Sequence, residues 1–125
     1  MHNNKVAGLQ VVAEFSGCAC GKLDDRAALE ETIIASISAC GMNLMQVQSY
    51  HFNPQGVTVV AIIGESHIAL HTFPESGHVS LDIYHCTDTT KGIFELVAFL
   101  ENWFQSSKTS MLKLARGENL GVIRE

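Results

Sequence analysis

The chain is poor in proline, aromatic side chains and charge: 2 of its 125 residues are proline, 7% are aromatic and 17% are charged. With 46% hydrophobic residues and no low-complexity stretch, fibrous and disordered readings are excluded. Positive charge is the scarcer sign. Eight Lys and Arg stand against thirteen Asp and Glu, a net charge of −5 with no basic stripe, so no nucleic acid partner is expected. Long hydrophobic runs are absent, since residues 57–64 and 93–100 fall far short of the roughly 20 a bilayer requires. The opening Met1-His2-Asn3-Asn4-Lys5 lacks the apolar core of a secretory signal, which gives a cytoplasmic expectation. There Cys18, Cys20, Cys40 and Cys86 are expected as thiols. A chain of this length buries roughly two thirds of its unfolded surface, enough for a single domain over residues 1–125 without disulfides.

Hydrophobic periodicity orders the elements as β-α-β-β-β-β-α-β. Residues 6–16 are rich in β-branched and apolar side chains and read as a strand. A helix over about 25–40 takes Asp24 or Asp25 as its cap, ends at Gly41 and turns Ala27, Ala28, Ile33, Ile34 and Ile37 inward. Residues 42–52 alternate as a strand, with Met42, Leu44, Gln46, Gln48 and Tyr50 on one side, before a hairpin turn at 53–56. Residues 57–63 are apolar on both faces and read as a central strand. After a break at 64–66, a strand over 68–73 leads through a turn at 74–77 to 78–85. That last strand sets Val79, Leu81, Ile83 and His85 opposite His78, Ser80, Asp82 and Tyr84. A second helix starts at Thr89 or Thr90 and runs to about Gln105, with Ile93, Leu96, Val97, Leu100 and Phe104 inward, and a strand over about 109–115 follows. The predicted fold class is α+β, a two-layer sandwich of a mainly antiparallel sheet with two helices on one face.

Reactive side chains crowd into residues 65–88, which hold Ser66, His67, His71, Glu75, His78, Asp82, His85 and Cys86. A metal site is the first candidate, but His67 and His71 on an extended strand stand roughly 13 Å apart, and Cys18 and Cys20 point to opposite faces. No metal is therefore expected. A serine hydrolase is the second, yet Ile68 occupies the second glycine position of a nucleophile elbow. Cys86 with His71 could form a thiolate pair, although a cysteine ending an apolar strand more often packs as a small hydrophobe. A third chemistry directs Ser66 at its own backbone. Its hydroxyl adds to the Glu65 carbonyl, the peptide becomes an ester, a base removes the Ser66 α-proton, and elimination followed by hydrolysis leaves a pyruvoyl group. Such a ketone takes up a substrate amine and accepts the electrons released when CO2 departs.

The run Glu65-Ser66-His67-Ile68-Ala69-Leu70-His71-Thr72-Phe73-Pro74-Glu75, followed by Asp82-Ile83-Tyr84-His85-Cys86, resembles the small prokaryotic S-adenosylmethionine decarboxylase proenzymes. Val12-Ala13-Glu14-Phe15, Phe52-x-Pro54-x-Gly56-Val57 and Arg116-Gly117 extend the likeness over nearly the whole chain. The resemblance implies self-cleavage between Glu65 and Ser66 into a β chain of residues 1–65 and an α chain of 66–125, with a covalent pyruvoyl group at Ser66. It further implies His71 as processing base and Cys86 as the acid that returns a proton to the substrate carbon. Phe73 would stack on the adenine, Glu75 would hold the ribose, and Thr58 would belong to the substrate-binding set. The expected product is S-adenosylmethioninamine for spermidine and polyamine synthesis, made by a homodimer of αβ units with active sites near the interface. Two positions depart from the family pattern: Thr58 stands where a serine is usual, and Phe73 replaces the commoner Trp.

The alternatives are a self-processing decarboxylase of arginine or ornithine, and an unprocessed, non-catalytic paralogue. Five residues separate Ser66 from His71, so an uninterrupted strand would turn them to opposite faces. The expectation is that the strand begins after Ser66, with the scissile bond in a bent turn. Glu14 is either an edge residue or an active-site partner, and Asp82 reads as a structural hydrogen-bond acceptor. Cys18, Cys20 and Cys40 read as buried or peripheral thiols. Trp103 and Phe104 pack either on the sheet or at a dimer contact.

Overall fold

The computed structural model describes residues 6–86 and 91–123. Seven strands and two helices follow in the order β1 (Val6–Ser16), α1 (Arg26–Ala39), β2 (Leu44–His51), β3 (Val57–Ile63), β4 (Ser66–Phe73), β5 (His78–His85), α2 (Lys91–Phe104), β6 (Lys108–Gly117) and β7 (Gly121–Ile123). They form one antiparallel sheet in the spatial order β2-β3-β4-β5-β1-β6-β7, so the N-terminal strand lies between β5 and β6. The predicted two-layer α+β architecture is the observed one. The added piece is β7, a three-residue strand paired to β6 through Leu114 and Val122, too short to leave a period in the sequence.

Local chemistry sets the helix limits. The Asp25 side chain accepts the Ala28 N–H at 3.0 Å, and Gly41, at φ 74, takes the left-handed turn that stops α1. The other capping candidate, Asp24, reaches instead across to the β2–β3 turn, where it accepts the Gly56 N–H at 2.8 Å and meets His51 Nε2 at 2.9 Å. Those partners hold the Asp24 carboxyl below its usual range. The buried stripe of α1 is Leu29, Thr32, Ile33, Ser36 and Ile37, while Ile34, expected inward, is 38% exposed. In α2 all five predicted inner residues are buried, and Phe104 packs on Phe15 with ring centroids 5.9 Å apart. The predicted start at Thr89 or Thr90 lies outside the described residues.

Val57, Val59, Ala61, Ile63, Ile68, Leu70, Val79, Leu81, Ile83, Val11, Ala13 and Phe15 fill the core between sheet and helices. Among the described residues the opposite face of the sheet carries no helix and exposes Tyr50, Val60, Ile62 and Leu112. Residues 57–63 are thus a central strand, yet not buried on both faces. The β2 pattern also departs from strict alternation, because a register shift between Leu44 and Gln46 pairs Leu44 with Ile63 and Gln46 with Ile62. Met42 is buried in the core ahead of the strand rather than lying on its open side. Among the described residues, no helix is long and apolar enough to cross a membrane.

Candidate active site

The chain turns sharply at Gly64 and Glu65, and Ser66 opens β4, paired with Ile63 on one side and His85 on the other. The expectation of a strand beginning only after Ser66 is therefore corrected: two full ladders capture Ser66, and the bend is confined to the two residues before it. Three contacts fix the turn. Gly64 N–H donates to the Asn43 carbonyl at 2.7 Å, and Asn43 returns its backbone N–H and its amide to the two Glu65 carboxylate oxygens at 3.2 and 3.0 Å. Partial burial raises the Glu65 pKa, but these donors and the charge of His85 outweigh it and hold the carboxyl below its usual range. The Glu65 carbonyl accepts the Cys86 N–H at 2.8 Å, and the Cys86 thiol is exposed at the end of β5. Ser66, Glu65 and Cys86 are thus brought together at one end of the sheet.

His71 and Thr58 stand elsewhere. Counted along β4, Ser66 falls with the buried Ile68, Leu70 and Thr72, while His71 falls with the open face. At about 3.3 Å per residue the two lie roughly 16 Å apart along the strand. On the open face one cross-strand row runs Tyr50, Thr58, His71, Ser80, Glu14 and Ser110. Within it, Thr58 Oγ1 sits 3.0 Å from His71 Nδ1, and Ser80 donates its hydroxyl to Glu14 at 2.7 Å. Glu14 also meets His78 Nε2 at 2.5 Å. Burial raises the Glu14 pKa, but Ser80, His78 and the field of His71 prevail and keep it low. Glu14 is therefore a partner in the histidine row rather than a bare edge acid.

The row opens into a cleft of about 360 Å³ lined by Phe52, Thr58, His71, Phe73 and Glu75 among others. Phe73 is 40% exposed there, Glu75 sits on a 3-10 turn at Pro74–Ser76, and Phe52 meets Tyr50 edge-on at 4.8 Å. Phe52 had no role in the sequence beyond its place in a family segment. A second polar chain, from Arg116 through Gln10 to Asp82, crosses the same face at 2.6 and 2.5 Å with Arg116 over the Tyr84 ring. Asp82 accepts a hydrogen bond within it, as expected. Burial pushes Cys18 up to about 11 and raises Cys40, which makes both poor nucleophiles. Among the described residues no three His, Cys, Asp or Glu side chains are grouped to hold a metal ion.

Comparison with known proteins gives first a class. The crystal structure of the adenosylmethionine decarboxylase from Aquifex aeolicus matches with a TM-score of 0.81 and 26% identity, over 90% of this chain and 92% of that one. The architecture is thus that of a two-layer α+β decarboxylase. The family model for S-adenosylmethionine decarboxylase matches residues 9–117. A proenzyme of that name from Methanococcus maripaludis is 34% identical over 90% of this chain and 92% of its own length. A second, from Halalkalibacterium halodurans, is 35% identical over 88% and 86%. The chain belongs to the S-adenosylmethionine decarboxylase family.

Proposed function

We propose that the chain cleaves itself between Glu65 and Ser66 and then, through the pyruvoyl group so formed, decarboxylates S-adenosylmethionine to S-adenosylmethioninamine, the aminopropyl donor of spermidine and polyamine synthesis. The observation that carries the reading is the Glu65 carbonyl, held at the exit of a tight turn by the Cys86 N–H at 2.8 Å. A serine follows that carbonyl directly, and the N–H already points at the oxygen on which charge develops when the hydroxyl adds.

In this reading Ser66 Oγ attacks the Glu65 carbonyl carbon and the peptide becomes an ester with a free Ser66 amine. His71, oriented by Thr58 at 3.0 Å, removes the Ser66 α-proton. The Glu65 carboxylate leaves, and water then releases ammonia from the residue at position 66. The resulting pyruvoyl group supplies an electron sink for decarboxylation. Cys86, exposed beside the cut, returns a proton to the substrate carbon. Phe73 offers its exposed ring to the adenine and Glu75 its carboxylate to the two ribose hydroxyls. The net charge of −5 suits a cationic sulfonium substrate.

The separation of Ser66 from His71 asks for a second copy. A second copy whose open-face row meets the Glu65–Ser66 end of the first copy's sheet would bring His71, Thr58, Phe73 and Glu75 of one copy toward Ser66 and Cys86 of the other, with the exposed Val60, Ile62 and Leu112 as apolar surface for the contact. The working unit is then a homodimer of αβ units, in the cytoplasm, where thiols stay reduced.

An intact-mass spectrum of the denatured protein tests the cleavage. The expected result is two chains, residues 1–65 and 66–125, the second lighter by one ammonia than hydrolysis alone gives. A single whole chain would leave a non-catalytic paralogue. Release of CO2 from S-adenosylmethionine, compared with arginine and ornithine, tests the substrate, and a preference for either amino acid would overturn it.

A further inference from the structure

Resting on the self-cleavage reading, a second proton transfer can be assigned. Ser66 and His85 are partners across β4 and β5. Because the Cys86 N–H binds the Glu65 carbonyl, Glu65 and Cys86 form the hydrogen-bonded pair of the ladder. The next pair, Ser66 and His85, is then the non-hydrogen-bonded kind, in which Cα atoms approach to about 4.5 Å and side chains come closest. Both residues fall on the helix-covered face, and His85 is only 5% exposed. His71 lies on the other face.

Backbone geometry at Ser66 favours the same step. Its φ is 159, and Cβ branches about 120° round from the carbonyl carbon, so the torsion from the Glu65 carbonyl carbon to Ser66 Cβ is about 40°. On an ordinary antiparallel strand that torsion is about 100°. Only the smaller one lets Oγ close the five-membered ring with the preceding carbonyl carbon. Ser66 is thus set for attack on its own peptide while still paired in the sheet.

We infer that His85 is the base that takes the Ser66 hydroxyl proton in the first step of cleavage, leaving the α-proton of the second step to His71. The hydroxyl proton passes to the His85 imidazole as Oγ bonds to the Glu65 carbonyl carbon, with the developing oxyanion on the Cys86 N–H. The C–N bond then breaks, and the imidazolium gives the same proton to the Ser66 nitrogen. The net change is an isomerisation of amide to ester. The Glu65 carboxylate lies near enough for its charge and that of His85 to interact.

The test follows freshly translated chains by intact mass, with and without hydroxylamine, which splits an ester but leaves a peptide bond whole. Wild type should cut itself. His71→Ala should stay whole but be split by hydroxylamine, having stopped at the ester. His85→Gln and His85→Ala, checked for folding by circular dichroism, should cleave about 100-fold more slowly, resist hydroxylamine, and in the Ala variant recover cleavage with added imidazole. A folded His85 variant that cuts at the wild-type rate, or whose whole chain hydroxylamine splits, overturns the assignment. So does a folded His85→Ala chain that imidazole never restores, which would reduce His85 to a packing residue. A wild-type chain that remains whole sinks the self-cleavage reading instead.

Discussion

Gly8 lies against the backbone of His85, close enough that a Cβ at position 8 would fall 2.5 Å from the His85 carbonyl oxygen and 3.0 Å from the Cys86 Cα. Both neighbours are main chain and cannot swing aside. Gly8→Ala should therefore displace residues 85 and 86, which lie between Gly8 and the Glu65 turn, and distort the bond that holds the scissile carbonyl. The expected result is slower self-cleavage together with a loss of about 1–3 kcal/mol in stability. A mass-spectrometric time course with a thermal melt reads both, and unchanged cleavage would show that the Cys86 N–H is dispensable.

The Thr58 hydroxyl meets His71 Nδ1 at 3.0 Å, and the resemblance marks serine as the usual residue there. The extra methyl leaves that contact intact, since β-branching restricts χ1 without removing the oxygen. Thr58→Ser should cleave at close to the wild-type rate. Thr58→Val keeps the shape but loses the partner, and about 1 kcal/mol of orientation predicts a drop in rate of roughly five- to tenfold. Equal rates for Val and wild type would remove the Thr58–His71 contact from the mechanism.

Much of the fold was legible because its signals are local. Asp25 and Gly41 bracket α1, and alternation over residues 78–85 placed His85 inside and His78, Ser80 and Asp82 outside, as the burial of β5 shows. The departures have non-local causes. The shift between Leu44 and Gln46 depends on the pairing of β2 with β3, and Met42 is drawn inward ahead of the strand. At the site, the family resemblance picked out Ser66, His71 and Cys86 and parity set Ser66 and His71 on opposite faces of an uninterrupted strand, but only the register showed that the strand does begin at Ser66 and that His85 is its cross-strand neighbour.

Acid should weaken the histidine row. The Glu14 carboxyl, raised by burial but lowered more by Ser80, His78 and His71, titrates in the folded chain below its usual value of 4.5. A depressed carboxylate pKa stabilises the fold above the unfolded pKa, and that stabilisation is lost as pH falls through the folded value. Glu14→Gln should thus melt below wild type at neutral pH, with the gap closing as pH drops under about 4.5. Because Glu14 is well exposed, the gap should be small and should shrink with added salt. Thermal melts from pH 7 to pH 3 check it, and a gap that widens in acid would reverse the sign.

The proposed division of the site between two copies makes the sharpest expectation. If His71 served its own Ser66, a chain lacking either residue could never be rescued by the other variant. The two lie roughly 16 Å apart along β4 and on opposite faces, and the proposed dimer has service cross between copies. Co-expressed Ser66→Ala and His71→Ala chains should then form mixed dimers in which the His71→Ala chain supplies Ser66 and its partner supplies His71. Random pairing puts about half of the Ser66-bearing chains in such dimers, so about half should be cut while each variant alone stays whole. Intact mass separates the products. Complete absence of cutting in the mixture, with mixed dimers shown by differential tagging, would return His71 to its own chain and require the Glu65–Ser66 turn to swing across the sheet edge before cleavage.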